Sequence, residues 1–115
     1  MNRVLKIYEN DIIADSRSTS DVINSACSHA RGMKVTGCCR HNDVILIVLE
    51  ESQAAVDKLT YVIAPLPEGG PDEVIGEMAS RYFAGFTTFG GFEAGGKFWG
   101  LFGHPRNSEK NLEKS

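Results

Sequence analysis

"KVTGCCRHNDVILIVLEE", residues 34–51, decides the fold. "KVTGCCRH" and "VILIVLEE" are runs rich in strand-forming residues, and the "ND" between them is a turn pair. The stretch therefore reads as a β-hairpin. Its second strand is apolar on both faces, with Ile45, Ile47 and Leu49 on one side and Val44, Leu46 and Val48 on the other. A strand that is apolar on both faces reads as a central strand of its sheet.

Working toward the N-terminus, "TSDVINSACSHARG" places Val22, Ile23, Ala26, Cys27 and Ala30 at helical spacing. Ser, Thr and Asp stand where a helix is capped, and Gly32 stands where it stops. "NDIIADSRS" reads as the loop before it. "RVLKIYE" alternates Val4, Lys6 and Tyr8 against Leu5 and Ile7, a strand pattern.

Toward the C-terminus, Ala55, Val56, Leu59, Val62, Ile63 and Leu66 fall on one stripe, with Ser52 as a cap and Pro65 as a stop. We read residues 52–64 as a helix, although "LTYVIA" is rich in strand formers. "PLPEGGPDE" is a turn-rich linker. Val74, Ile75, Met78, Ala79, Tyr82, Phe83 and Phe86 fit a second helix, weakened by Gly76. "KFWGLFG" follows the turn "EAGG" as a strand, with Phe98, Gly100 and Phe102 on one face and Trp99 and Leu101 on the other. A shift of 53 residues superposes the two hairpin regions with few identities, so no repeat is predicted.

The chain has 115 residues, enough for one domain with its own core. We expect an α+β domain over residues 1–104 and a polar tail over 105–115. Net charge is −3 and there is no basic stripe, which excludes tight nucleic-acid binding. No apolar run is long enough to span a membrane, and the first ten residues lack a signal-peptide pattern. Three cysteines, two of them adjacent, suit a reducing cytoplasm rather than a disulfide scaffold.

Cys38, Cys39 and His41 invite a metal reading. On a strand, however, Cys39 and His41 share a face and Cys38 points away, and Cys27, His29 and His104 would have to arrive from elsewhere. The paired spacing of zinc motifs is missing, so no metal is expected.

Four short strings resemble the BLUF domain, the flavin-binding blue-light sensor with a ferredoxin-like sheet. They are "IYE" with Tyr8, "VTG" at 35–37, "VLEES" at 48–52 and "SRYFAGF" at 80–86. The resemblance covers about residues 3–90. It implies a mixed sheet of about five or six strands carrying two or three helices, an extended segment around 73–80, and a flavin held between the helices. Light sensing in that family uses a tyrosine, a glutamine and an asparagine. Tyr8 is present, but the glutamine position is Ile47 and the asparagine position falls near Ala30. The late tryptophan is Phe86 and its methionine partner is Thr88. Isoleucine and alanine cannot hydrogen-bond the polar edge of a flavin, so no light-driven spectral shift is expected.

The sequence thus points to a non-catalytic module that binds a small apolar or planar ligand, self-associates, or both. The ligand walls would be Ile23, Ala26, Cys27 and Ala30 over Ile45 and Ile47, with Tyr8 and His29 as polar groups. The alternatives are a small enzyme using His29, His41 or Cys39, and a subunit docking through its Phe/Trp hairpin. The self-associating surface is expected on the 86–103 hairpin. There Phe98 and Phe102 would face inward while Trp99 and Leu101 face out from an edge strand.

Overall fold

The computed structural model describes residues 2–29, 32–51 and 59–105. In chain order these form β1 (Asn2–Tyr8), α1 (Glu9–Ala14), α2 (Ser16–His29), β2 (Met33–His41) and β3 (Val44–Glu51). They continue as β4 (Leu59–Pro65), α3 (Pro71–Phe83), β5 (Thr87–Ala94) and β6 (Lys97–Pro105). The α+β class is the one the patterns predict. The strands do not form one mixed sheet. They form two three-stranded antiparallel sheets, ordered β1-β3-β2 and β4-β6-β5.

The hairpin β2–β3 is as its sequence dictates. His41 pairs Val44 across a turn in which Asn42 takes a left-handed φ of 56°, a conformation asparagine tolerates. β3 is central. Ile45, Ile47 and Leu49 have no exposed surface, while Val44, Leu46 and Val48 are half-buried on the other face.

Three local expectations are corrected. Residues 9–14 are helix rather than loop, because Ile12 plugs the core with no exposed surface. The cap of α2 is Asp15. Its carboxylate accepts the Arg17 and Ser18 backbone N–H groups at 3.1 and 3.2 Å, so the helix starts earlier than the Thr/Ser/Asp run. Residues 59–65 are strand, not helix. The β-branched Thr60, Val62 and Ile63 find a full ladder on β6, from Leu59↔Pro105 to Pro65↔Trp99. Pro105 therefore belongs to β6 rather than to the tail. The expected cap Ser52, with Ala55 and Val56 of the stripe, lies outside the described residues. Residues 71–83 are helix, as the periodicity predicts, where the BLUF resemblance implies an extended segment.

Seen in topology, the described chain runs β-α-β-β twice, with the last strand of each half in the middle of its sheet. The hairpin landmarks recur at one offset. The pair His41↔Val44 becomes Ala94↔Lys97, and the bulge between Val35 and Gly37 becomes one between Thr88 and Gly90. The left-handed turn residue Asn42 becomes Gly95 at φ 63°. The repeat is invisible in residue identity because the two halves turn opposite faces of their hairpins to the shared core. Ile45, Ile47 and Leu49 face the shared core, whereas their counterparts Phe98, Gly100 and Phe102 lie on the α3 side.

One cluster joins the two sheets. Ile23 of α2 and Ile7, Val35, Ile45, Ile47 and Leu49 of the first half pack on Tyr61, Ile63, Phe92, Trp99 and Leu101 of the second. β5 crosses close to β2: a Cβ on Gly90, at φ 144°, would come within 3.0 Å of Cys38 Sγ. Polar pins cross the same seam. The Val35 N–H donates to Tyr61 Oη at 3.0 Å. On the other side of the second sheet, Phe102, Ala64 and Leu66 pack with Val74, Met78 and Phe86, and the Arg81 guanidinium stacks 4.5 Å from the Phe102 ring centroid.

A charged clamp fastens the hairpin tips. Arg40 donates to both oxygens of Glu9 (2.9 and 3.2 Å) and to the Glu93 carbonyl at 2.6 Å. The Gly95 N–H donates to Glu9 Oε2 at 2.7 Å. The Arg40 hydrogen bond, followed by that of Gly95, holds the Glu9 carboxyl below the usual carboxylate range. A depressed folded pKa contributes stability that is complete above the unfolded value, about 4.3 for Glu, and lost as pH falls through the folded one. Glu9→Gln is therefore expected to unfold with a shallower pH dependence below about pH 4.3 than the wild type. Urea midpoints measured from neutral to acid pH check this, and parallel curves would refute it.

Candidate interaction surface

The structure separates the residues expected to line a ligand pocket. Ile23, Ile45 and Ile47 do meet, but with no exposed surface, and Cys27 packs half-buried against the same cluster. The space over Ile45 and Ile47 is taken by the second sheet, with Tyr61, Ile63 and Leu101 in the same cluster. Tyr8 points to the opposite face and is 54% exposed. His29 ends α2, and Ala30 lies outside the described residues.

The expected hairpin interface is likewise corrected. β6 is the middle strand of its sheet, not an edge. Trp99, Leu101 and Phe102 are buried, and only Phe98 of the four is exposed. The alternation of faces is as predicted. Both faces are covered, however, one by the first half of the chain and the other by α3.

What is left uncovered is elsewhere. On the outer face of β1-β3-β2 three cross-strand rows run Val4–Val48–Gly37, Lys6–Leu46–Cys39 and Tyr8–Val44–His41. Val4 is 51% exposed, and Lys6, Cys39 and His41 are exposed too. A second apolar strip lies on α3. Its inner side carries Val74 and Met78, but Ile75, Ala79, Tyr82 and Phe83 lie together on an exposed side. Tyr82 and Phe83 are 73% and 88% exposed. α3 has no fully buried residue at all. The alternation of Val4, Lys6 and Tyr8, and the double-faced β3, carried the first surface in the sequence. The second was hidden because every apolar residue of α3 reads as core-facing.

Among the described residues the reactive groups do not converge. Cys39 and His41 share the outer face, as predicted, and Cys38 points the other way. Burial, then the neighbouring Cys39, pushes the Cys38 thiol up to about 11, so it is not a thiolate at neutral pH. Among the described residues no three His, Cys, Asp or Glu side chains are placed to hold a metal ion. Asp11, Asp15, Ser18 and Thr19 line a shallow groove between α1 and α2, where the Asp15 carboxylate is engaged in capping. Among the described residues no helix is long and apolar enough to cross a membrane. No family model, curated protein or solved structure matches the chain.

Proposed function

We propose that this chain is a non-catalytic, BLUF-like self-association module that has lost light-sensing chemistry and works in the cytoplasm. The carrying observation is the bare apolar face of β1-β3-β2, with Val4, Tyr8, Val44, Leu46 and Val48 arranged as adjacent rows. Contiguous exposed apolar area of this kind marks interaction sites. The first half, β-α-β-β with its third strand central, follows the opening elements of the ferredoxin-like order, which supports the BLUF-like reading. The packing of Ile23, Ile45 and Ile47 against the second sheet favours self-association over a small-molecule site, flavin included. Cys38 and Cys39, adjacent on β2, are free thiols, in keeping with a reducing compartment.

Sedimentation of the wild type and of Val4→Glu tests the reading. The wild-type average mass is expected to rise with concentration, while Val4→Glu, with an unchanged far-UV spectrum, stays at the monomer mass. A wild type that remains monomeric throughout defeats the proposal, and so does a variant that associates as the wild type does.

A further inference from the structure

Resting on that reading, the geometry points to a head-to-tail contact, in which the bare β1-β3-β2 face of one copy sits on the exposed α3 strip of a second copy. The chain already packs a sheet face of one half on the helix-bearing side of the other. In each half the helix lies on the same side of its sheet: α2, through Ile23, on the side of Ile45, Ile47 and Leu49, and α3 on the side of Phe102. The other side of the second sheet, bearing Tyr61, Ile63, Trp99 and Leu101, is packed on the helix side of the first half. Among the described residues two surfaces are then left over, the bare side of the first sheet and the helix side of the second half. One is a sheet face and the other belongs to a helix-bearing side, the two kinds of side that pack inside the chain, where α2 contributes its inner residue Ile23.

Charge agrees with this pairing. Lys6 stands in the middle row of the bare face, with Lys34 at its end beside Glu50. The exposed strip of α3 begins at Asp72, three residues before Ile75, with Glu73 in the same turn.

Size sets the strength. All three strands are paired together across Val44–Glu50 of β3, a patch of about 14 by 23 Å. A footprint of about 300 Å² is well under the roughly 800 Å² per partner of a stable interface. The association is therefore weak and concentration-dependent. Because the two surfaces are different, the contact is heterologous and does not close at a dimer by itself.

The test uses two blocked chains, Leu46→Glu for the sheet face and Tyr82→Glu for the helix strip, measured by sedimentation alone and mixed. The wild type should exceed the dimer mass at high concentration. Each variant alone should be monomeric, and an equimolar mixture should give a species of twice the monomer mass and stop there. Far-UV spectra confirm folding, and Tyr8→Glu replaces Leu46→Glu if that variant does not fold. If Tyr82→Glu alone associates like the wild type and mixing adds nothing, the contact is face to face, and this inference falls while self-association stands. If both variants are monomeric and their mixture is too, the inference also falls. If the wild type is monomeric at every concentration, both fall.

Discussion

Trp99→Ala lowers the unfolding free energy by about 3–5 kcal/mol, the range for removing a large buried aromatic side chain. The indole is 8% exposed and packs in the cluster that joins the two sheets. Its Nε1–H donates to the Ala94 carbonyl at 2.9 Å, so the substitution also leaves an acceptor at the hairpin tip without its partner. A domain of this size has about 5–15 kcal/mol in total, so the loss is a large share. Urea denaturation measures it. Had β6 been an exposed edge strand, the same change would shift stability by only about 0.5 kcal/mol. A value that small would contradict the burial of β6 between two layers.

Asn24→Ala is expected to cost about 2–6 kcal/mol, since a half-buried backbone donor and acceptor each lose their partner at about 1–3 kcal/mol apiece. β4 is an edge strand in the described structure, and α2 satisfies its free edge with side chains. The Tyr61 N–H donates to Asn24 Oδ1 at 2.6 Å, and Asn24 Nδ2 donates back to the Tyr61 carbonyl at 2.9 Å. One helical turn earlier, Ser20 Oγ accepts the Ile63 N–H at 2.9 Å. Two polar side chains four residues apart thus take the place of a neighbouring strand, reaching alternate residues of β4. Asn24→Asp keeps the acceptor and loses the donor, so its cost should fall between wild type and Asn24→Ala. Faster amide exchange at Tyr61 in the alanine variant is the local readout. An unchanged rate together with an unchanged denaturation midpoint would show that α2 does not hold this edge.

These two sites mark where sequence reading succeeds and where it stops. The hairpin at 33–51 was legible because period-two alternation, a turn pair and a double-faced strand all agree on one structure. The alternation of Trp99 against Phe98 and Phe102 was legible too. What alternation cannot say is how many faces are covered, and β6 is covered on both. β4 is ambiguous in sequence because its stripe suits a helix as well as its β-branched residues suit a strand. The deciding partners, β6 and the Asn24 amide, are distant in sequence. α1 was missed since a six-residue helix offers too short a pattern, although Ile12 is among the most buried residues described. The repeat escaped notice because matching positions in the two hairpins meet different surroundings: Leu46 stands on a bare face, while its counterpart Trp99 stands in the core. The candidate surface was half legible. Val4, Lys6 and Tyr8 were placed on one face, but nothing in the chain says which face a second sheet will cover.

The central claim is that the outer face of β1-β3-β2 is a contact surface for another copy of the chain. A concentration series of amide NMR spectra tests it most directly, from about 20 µM to about 1 mM, a range that brackets a weak contact. The account predicts progressive shifts at Val4, Lys6, Tyr8 and Leu46, and at Ile75, Tyr82 and Phe83, while Trp99 and Leu101 stay fixed. Spectra that superpose across the whole range would contradict it, as would shifts confined to the 86–103 hairpin.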